Sequence, residues 1–414
     1  MSWTWPETRP AGDVNKNWVQ VAMSADGLTI LAASTTGLYL TVDGGANWTE
    51  ESPTGSAGQE YRCVAVSGDG TYLLAGQFGA RLWLSTDAGA NWTEIRPRGD
   101  TNQLWNACAI ASGGVYLLAA IYSGPRCVSA DSGANWTLGA SYWRYTSCAM
   151  SSDGKYQLLC ADTYSASEGD TANAVWRSVD YGANWVAIRF DPWTKQGNWI
   201  AVAVSQQGDT MMAGSYDKTA NAYLSRLWVS FDFGGHWERV EPTGSDDTPW
   251  RGLSCSYHGI HALACNTQSS ATGLRLWGTN DGKNWGEQRP AGDADAVWYS
   301  TAMSGLGEQV VAVVYGGRMW LGSLPALPTP AFTSCYWDTD TSGQATSAGT
   351  AAGKTTAQME TVGTFVDWDF TNVWNEPDSC YPWLRTEHVA VRNGCAVVHS
   401  FPWIGKFQLS HVTA

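Results

Sequence analysis

Charge is scarce in this chain. Asp, Glu, Lys and Arg make up 15% of its 414 residues, and the balance is acidic: 38 Asp plus Glu against 24 Lys plus Arg, a formal net charge of −14. A general nucleic-acid binder needs Lys and Arg to displace phosphate counterions, so that class is excluded. No block of basic residues suggests an anionic membrane surface. Long apolar runs are also missing: nothing approaches the roughly 18 residues a membrane-spanning helix needs. The opening MSWTWPETRP has neither a basic stretch nor an apolar core, so no secretory leader is expected. The six histidines form no HExxH or paired spacing, and the ten cysteines form no CxxC pair. No metal and no cofactor are therefore expected. What the chain does have is 45 Gly and 25 Trp, a composition suited to short strands joined by tight turns.

One segment recurs. TVDGGANW begins at Thr41, STDAGANW at Ser85, SADSGANW at Ser129, SVDYGANW at Ser178 and SFDFGGHW at Ser230, with a shortened TNDGKNW at Thr279. Starts are spaced by 44, 44, 49, 52 and 49 residues, the range of solenoids and propellers. Between these turns an aromatic residue opens an alternating run, a DG-type turn follows, then an apolar run, then a run such as RLWLS from Arg81. Period-two alternation between turn signals predicts four strands per repeat, one propeller blade. Openings are read at Trp18, Tyr61, Trp105, Trp143, Trp199, Trp250 and Trp298. The seventh lacks its fourth strand, and WPETRPAGD from Trp5 matches WGEQRPAGD from Trp285. The expected fold is all-β: a seven-bladed β-propeller over residues 1–324, closed by its own N-terminal strand, which hides a sheet edge. A Pro-rich linker at 325–331 and a small β-rich C-terminal domain at 332–414 complete the chain.

The recurring turn resembles the Asp-box, or BNR repeat, of sialidases, sortilin-like receptors, xyloglucanase-type glycosidases and a photosystem assembly factor. Its aspartates, Asp43, Asp87, Asp131, Asp180, Asp232 and Asp281, are read as structural acceptors of backbone N–H groups. Its glycines, among them Gly45 and Gly89, are expected at positive φ. Its tryptophans, Trp48, Trp92, Trp136, Trp185, Trp237 and Trp285, are expected to pack beneath the turn. The tail elements CYWDTDTSGQATSAG, KTTAQM and TFVDWDFTNVWN resemble bacterial surface proteins of the filamentous-haemagglutinin/GLUG type. That resemblance implies a bacterial or phage setting and an adhesive or filament-like context, without catalysis.

Several residues are candidates for a ligand face, expected opposite the Asp turns, where the loops vary most. Arg81, Arg226, Arg275 and Arg318 share one repeat position and could clamp an anion; the alternative is an Arg lying on a neighbouring Trp or paired with an acid. The variable face is also expected to carry Trp193, Lys195, Asp246 and Asp247, with long insertions at Thr163–Ala174 and Tyr216–Ser225. The opening aromatics admit a sugar-stacking rim or packing between repeats, and strict recurrence favours packing. Cys108, Cys148 and Cys255 are placed at a position held elsewhere by Val21, Val64, Val202 and Thr301, and read as small buried apolar residues. Arg98-Gly99-Asp100 aligns with AGD at Ala11 and Ala291, a shared turn. Asn47, Asn91 and Asn135 lie in N-W-T sequons inside the Asp turn. Asp338, Asp340, Asp367 and Asp369 lack a calcium-loop pattern. In the tail, Trp337, Trp368, Trp374 and Trp403 are expected anchors for another chain.

These readings converge on a non-enzymatic structural or recognition protein at a cell surface or in a virion. Its expected partners are other protein subunits or glycans, in an oligomer or larger complex, without membrane insertion. The alternatives are a secreted Asp-box glycosidase of sialidase or xyloglucanase type, and a propeller assembly factor. A sialidase would need an arginine triad and an early F/Y-R-I-P motif, which is absent. A xyloglucanase-type enzyme would need two opposed carboxylates.

Overall fold

The computed structural model describes residues 3–162, 175–190, 198–216, 225–244, 248–266, 274–292 and 294–324, plus six short strands between 336 and 397. The chain divides into two compact parts, Met1–Pro325 and Ala326–Ala414. All regular structure among the described residues is strand.

After β1 (Glu7–Thr8), the first part repeats one antiparallel pattern. The first repeat is β2 (Lys16–Met23), β3 (Ile30–Ser34), β4 (Gly37–Thr41) and β5 (Thr49–Glu51). The second is β6 (Tyr61–Val66), β7 (Leu73–Ala80), β8 (Leu82–Ser85) and β9 (Thr93–Ile95). Then come β10 (Gln103–Ile110), β11 (Leu117–Gly124), β12 (Arg126–Ser129) and β13 (Thr137–Leu138). The fourth repeat is β14 (Trp143–Met150), β15 (Gln157–Asp162), β16 (Val175–Ser178) and β17 (Val186–Ile188). β18 (Asn198–Val204), β19 (Met211–Tyr216), β20 (Leu227–Ser230) and β21 (Glu238–Val240) follow. Next are β22 (Trp250–Cys255), β23 (Ala262–Asn266), β24 (Leu276–Thr279) and β25 (Trp285–Gln288). The last set is β26 (Trp298–Met303), β27 (Gln309–Gly317) and β28 (Met319–Ser323). Its outer neighbour is β1, with Glu7 opposite Trp320 and Thr8 opposite Met319.

Second strands such as β3 (ILAAS) are buried along their whole length. They lie inside a sheet covered on both faces, so they read as continuous Leu, Ala and Val rather than alternating. Opening strands pack against one another in order: β2 on β6, β6 on β10, β10 on β14, β14 on β18, β18 on β22, β22 on β26, and β26 back on β2. Each opening aromatic fills the gap to the preceding repeat. Tyr61 packs with Leu31 and Leu38, and Trp105 with Leu74 and Leu82. Trp250 packs with Ala201 and Leu227, and Trp18 with Val311, Val313 and Met319. The architecture is that of a β-propeller.

Two sequence assignments are corrected by register. The fourth opening aromatic is Tyr145, opposite Ala161 and 1% exposed, not Trp143, which is only partly buried and lies against Trp176. Leu253, opposite Ala264, holds the position of Val21 opposite Ala32. Cys255 is two residues further on, opposite Ala262, and only partly buried. Cys108 and Cys148 are buried. Burial also pushes the Cys160 and Cys265 thiols up to about 12, so they are unreactive at neutral pH.

At one end of the repeats the turns between first and second strands touch. Backbone hydrogen bonds of 2.6–2.8 Å run from Ala25 to Gly68, Ser112 to Ser152, Ser152 to Gln206, Tyr257 to Gly305, and Gly305 to Ala25. Within these turns a serine and an aspartate repeat. Ser24 Oγ donates to Asp26 Oδ1 and accepts from Thr29 N at 3.0 Å, and Ser151 and Asp153 do the same.

In the second part, β29 (Tyr336–Asp338) pairs in parallel with β30 (Ala352–Lys354). β31 (Trp374–Asn375) pairs with β32 (Trp383–Leu384), and β33 (Ala390–Arg392) with β34 (Cys395–Val397), both antiparallel. Trp337 and Trp374 lie on β29 and β31. Trp368, Trp403, Asp340, Asp367 and Asp369 lie outside the described residues.

Candidate binding face

The Asp turns are scaffold in their geometry. In the first, Thr41 Oγ1 donates to Asp43 Oδ1 at 2.7 Å and accepts from Gly45 N at 3.0 Å. Asp43 also accepts from Asn47 N at 2.9 Å and Asn47 Nδ2 at 2.7 Å. The same set recurs at Asp87, Asp131 and Asp180, and in reduced form at Asp232 and Asp281. The N–H donors from Asn47 hold the Asp43 carboxyl down at about 2, and equivalent donors lower the other five. Each carboxylate is thus held ionised, and all but Asp232 have both oxygens hydrogen-bonded, which suits neither a general acid nor a nucleophile. The sequon residues Asn47, Asn91 and Asn135 spend their amide groups on these aspartates.

Gly45 and Gly89 both adopt φ of +93°. The residue before is left-handed too, including non-glycines: Ala88, Ser132, Tyr181 and Phe233 lie at +55° to +61°. The sequence reading had not anticipated this. The turn tryptophans are half-buried. Trp136, Trp185 and Trp237 donate to the carbonyls of Gly133, Gly182 and Gly234, Trp92 reaches Glu51, and Trp48 reaches Thr8 on β1. The Trp285 indole N–H has no partner among the described residues.

The four repeat-position arginines lie on different repeats, and the side chains of Arg81, Arg275 and Arg318 are ion-paired. Arg81 stands 3.3 Å from Glu94, and Arg275 2.8 Å from Glu287 with Asp295 also in contact. Arg318 stands 3.7 Å from Glu7 and donates to the carbonyls of Gly12 and Asp13 at 2.8 Å. Arg226 pairs its backbone with Ser215. Arg96 grips Glu94 and Asp100, as Arg9 grips Glu7 and Asp13, so Arg98-Gly99-Asp100 is the same turn as Ala11-Gly12-Asp13. Trp193, Lys195, Asp246, Asp247 and the Thr163–Ala174 insertion lie outside the described residues, as does the Tyr216–Ser225 loop except for its two end residues. The opening aromatics are 1–4% exposed, which leaves no ring face for a sugar.

A different cluster occupies the axis at the end away from the Asp turns. Every opening strand carries a bulge just after its aromatic, between Trp18 and Gln20, Tyr61 and Cys63, and so on to Trp298 and Ser300. A bulge leaves one residue out of the ladder and re-aims its side chain. The bulged residues are Val19, Arg62, Asn106, Thr146, Ile200, Arg251 and Tyr299. Asn106 and Thr146 donate to the carbonyls of the next aromatics, Tyr145 at 2.8 Å and Trp199 at 2.7 Å. Arg62 binds Glu60 and lies 4.8 Å from the centre of the Phe78 ring. Phe78 neighbours Tyr122, over which Arg144 lies at 5.0 Å. Arg251 lies 3.5 Å from the centre of the Tyr299 ring, which stacks on Tyr315 at 5.2 Å. Burial lowers the Arg251 pKa, and the nearby Arg62 charge pushes the same way. The one trace of this cluster in sequence is that the residue after each opening aromatic changes chemistry from repeat to repeat.

No family model matches the chain, and no curated protein does. Solved structures do. YCF48 bound to D1 peptide is 13% identical with a TM-score of 0.56, over 78% of this chain and 97% of that one. YCF48 from Cyanidioschyzon merolae is 14% identical with a TM-score of 0.55, over 78% and 99%. An ancestral GH74 enzyme is 13% identical with a TM-score of 0.57; 79% of this chain covers 46% of that one. At such identities the likeness concerns fold: these are β-propellers.

Proposed function

We propose that the chain is a non-catalytic recognition or structural protein of a bacterial surface or phage-like particle, built on a seven-bladed Asp-box propeller closed by its N-terminal strand. The cyclic packing of opening strands supports seven blades. Glu7 on β1 meets Arg318 as Glu94 on β9 meets Arg81 and Glu287 on β25 meets Arg275, which supports β1 as the missing outer strand. Recognition is assigned to the face opposite the Asp turns, including Arg226, Trp193 and Lys195, and docking or oligomerisation to residues 332–414, with Trp337, Trp368, Trp374 and Trp403 as anchors.

The observation that carries the reading is the axial cluster. It gathers guanidinium groups and rings, which hold a ligand by charge and contact, and its described chemistry is that of binding rather than proton transfer. The fold neighbour YCF48, solved bound to D1 peptide, supports a protein partner. The test is binding without turnover, with peptide and glycan arrays probed alongside a reducing-sugar assay. Captured ligands with no new reducing ends are expected; catalytic release of reducing ends overturns the reading. Light scattering tests the tail: the full chain is expected to be oligomeric and residues 1–324 monomeric. A monomeric full chain removes the docking role.

A further inference from the structure

The axial cluster contains one charge that the described residues do not answer. Arg62 has Glu60 as an ion-pair partner. Arg251 has the Tyr299 ring, and the charge of Arg62 also acts on it. Among the described residues no carboxylate stands at ion-pair distance from it. A partly buried guanidinium does not shed its proton, so among the described residues its charge rests on the Tyr299 ring alone. The same bulge position holds Val19, Asn106, Thr146, Ile200 and Tyr299 elsewhere. Arginine is thus not required by the bulge. In a chain of net charge −14, two arginines within electrostatic reach at the axis create a local positive field against the bulk of the molecule.

The ring faces say what kind of anion fits. Arg62 lies over Phe78, Arg144 over Tyr122 and Arg251 over Tyr299, while the second face of Tyr299 meets Tyr315. A pyranose would find one face of each ring taken by a guanidinium, and both faces of Tyr299 taken. Stacked on the Tyr299 ring, Arg251 has no carboxylate among the described residues, and a guanidinium edge matches carboxylate oxygens two at a time. We propose that the axial mouth binds a carboxylate of an acidic peptide segment, with Arg251 as the main determinant and Arg62 as the second. This rests on the recognition reading above and names its ligand class.

The experiment uses the full chain, a fluorescent Glu-rich hexapeptide, its Gln counterpart and an oligogalacturonate. The Glu peptide is expected to bind and the Gln peptide not to. Arg251→Gln should weaken binding roughly tenfold or more, as for loss of a charge-assisted pair, and added salt should weaken it further. Arg81→Gln, on the outer flank, should leave binding unchanged. Without ligand, Arg251→Gln should keep or raise the melting temperature, because it removes a desolvated charge; a purely structural arginine would give a drop. No Glu-peptide binding, binding indifferent to Arg251→Gln, preference for oligogalacturonate, or a destabilised Arg251→Gln each overturns the proposal. If Glu peptides fail while another ligand from the arrays is captured without turnover, recognition stands and the carboxylate site falls.

Discussion

The two ends of the propeller are built on opposite principles. At the Asp-turn end the same residues make the same bonds: Ser85, Asp87, Gly89 and Asn91 are replayed by Ser129, Asp131, Gly133 and Asn135. At the other end one backbone feature, the bulge, is replayed while its side chain changes from Val19 to Arg62, Asn106, Thr146, Ile200, Arg251 and Tyr299. A position held constant through the repeats serves the frame they share. A position that changes serves what only one or two of them do. The first end spends its polar groups internally; at the second, Arg251 has a ring and no carboxylate beside it among the described residues.

The comparison can be broken hardest at the closure. Removing residues 1–13 takes away β1 and the buried Trp3, whose Nε1 donates to Gly307 O at 3.1 Å. It bares β28, and aggregation or a collapse of thermal stability is expected in melting and light-scattering experiments; a truncated chain that melts like the whole would refute N-terminal closure. A milder cut is Trp3→Ala, expected to cost about 3–5 kcal/mol in denaturant unfolding, as for a buried Trp emptied in a core. Gly278 and Gly322 make room for Trp3 and Trp5, since a Cβ would come within 2.5 Å and 2.8 Å of their rings.

At the Asp-turn end, Ser230→Ala strips the acceptor of Gly234 N at 2.9 Å. A loss of about 1–3 kcal/mol is expected from the unpaired donor, with peptide or glycan binding unchanged well below the melting temperature. A binding defect at full stability would move the Asp turns into the recognition surface. The smallest effect is acid sensitivity. The six turn carboxyls titrate below their usual value, so their stabilisation is complete above about pH 4 and is lost as pH falls toward 2. Melting temperature measured across that window should decline; a curve that rises there contradicts the hydrogen-bonding scheme.

Much of the frame was legible because it repeats. The turn spacing located strands, and the match between Trp5 and Trp285 located β1. The errors have one physical origin. The sequence pattern points to Trp143 where the strand places Tyr145, and to Cys255 where it places Leu253, each two residues away. In a strand, a shift of two returns to the same face, so the alternating pattern does not resist it. Register against the partner strand does. The axial cluster was not legible because the bulge breaks alternation and because Arg62, Tyr122, Arg144 and Arg251 come from different repeats. Left-handed Tyr181 and Phe233 were missed because composition gives no reason to place an aromatic there. Their rings lie on Tyr116 at 4.7 Å and Tyr156 at 4.8 Å, contacts that only the neighbouring repeat supplies.

The pairing of β1 with β28 also sets an order of events during synthesis. Trp3 leaves the ribosome well ahead of its partner Gly307, which lies 304 residues downstream. At roughly 5–20 residues per second, that wait lasts tens of seconds. Throughout it, Trp18 faces no Val311 or Val313, and the nascent chain carries an open apolar flank at its leading end. Chaperone demand should therefore peak late in translation and end abruptly once residue 323 is free of the exit tunnel.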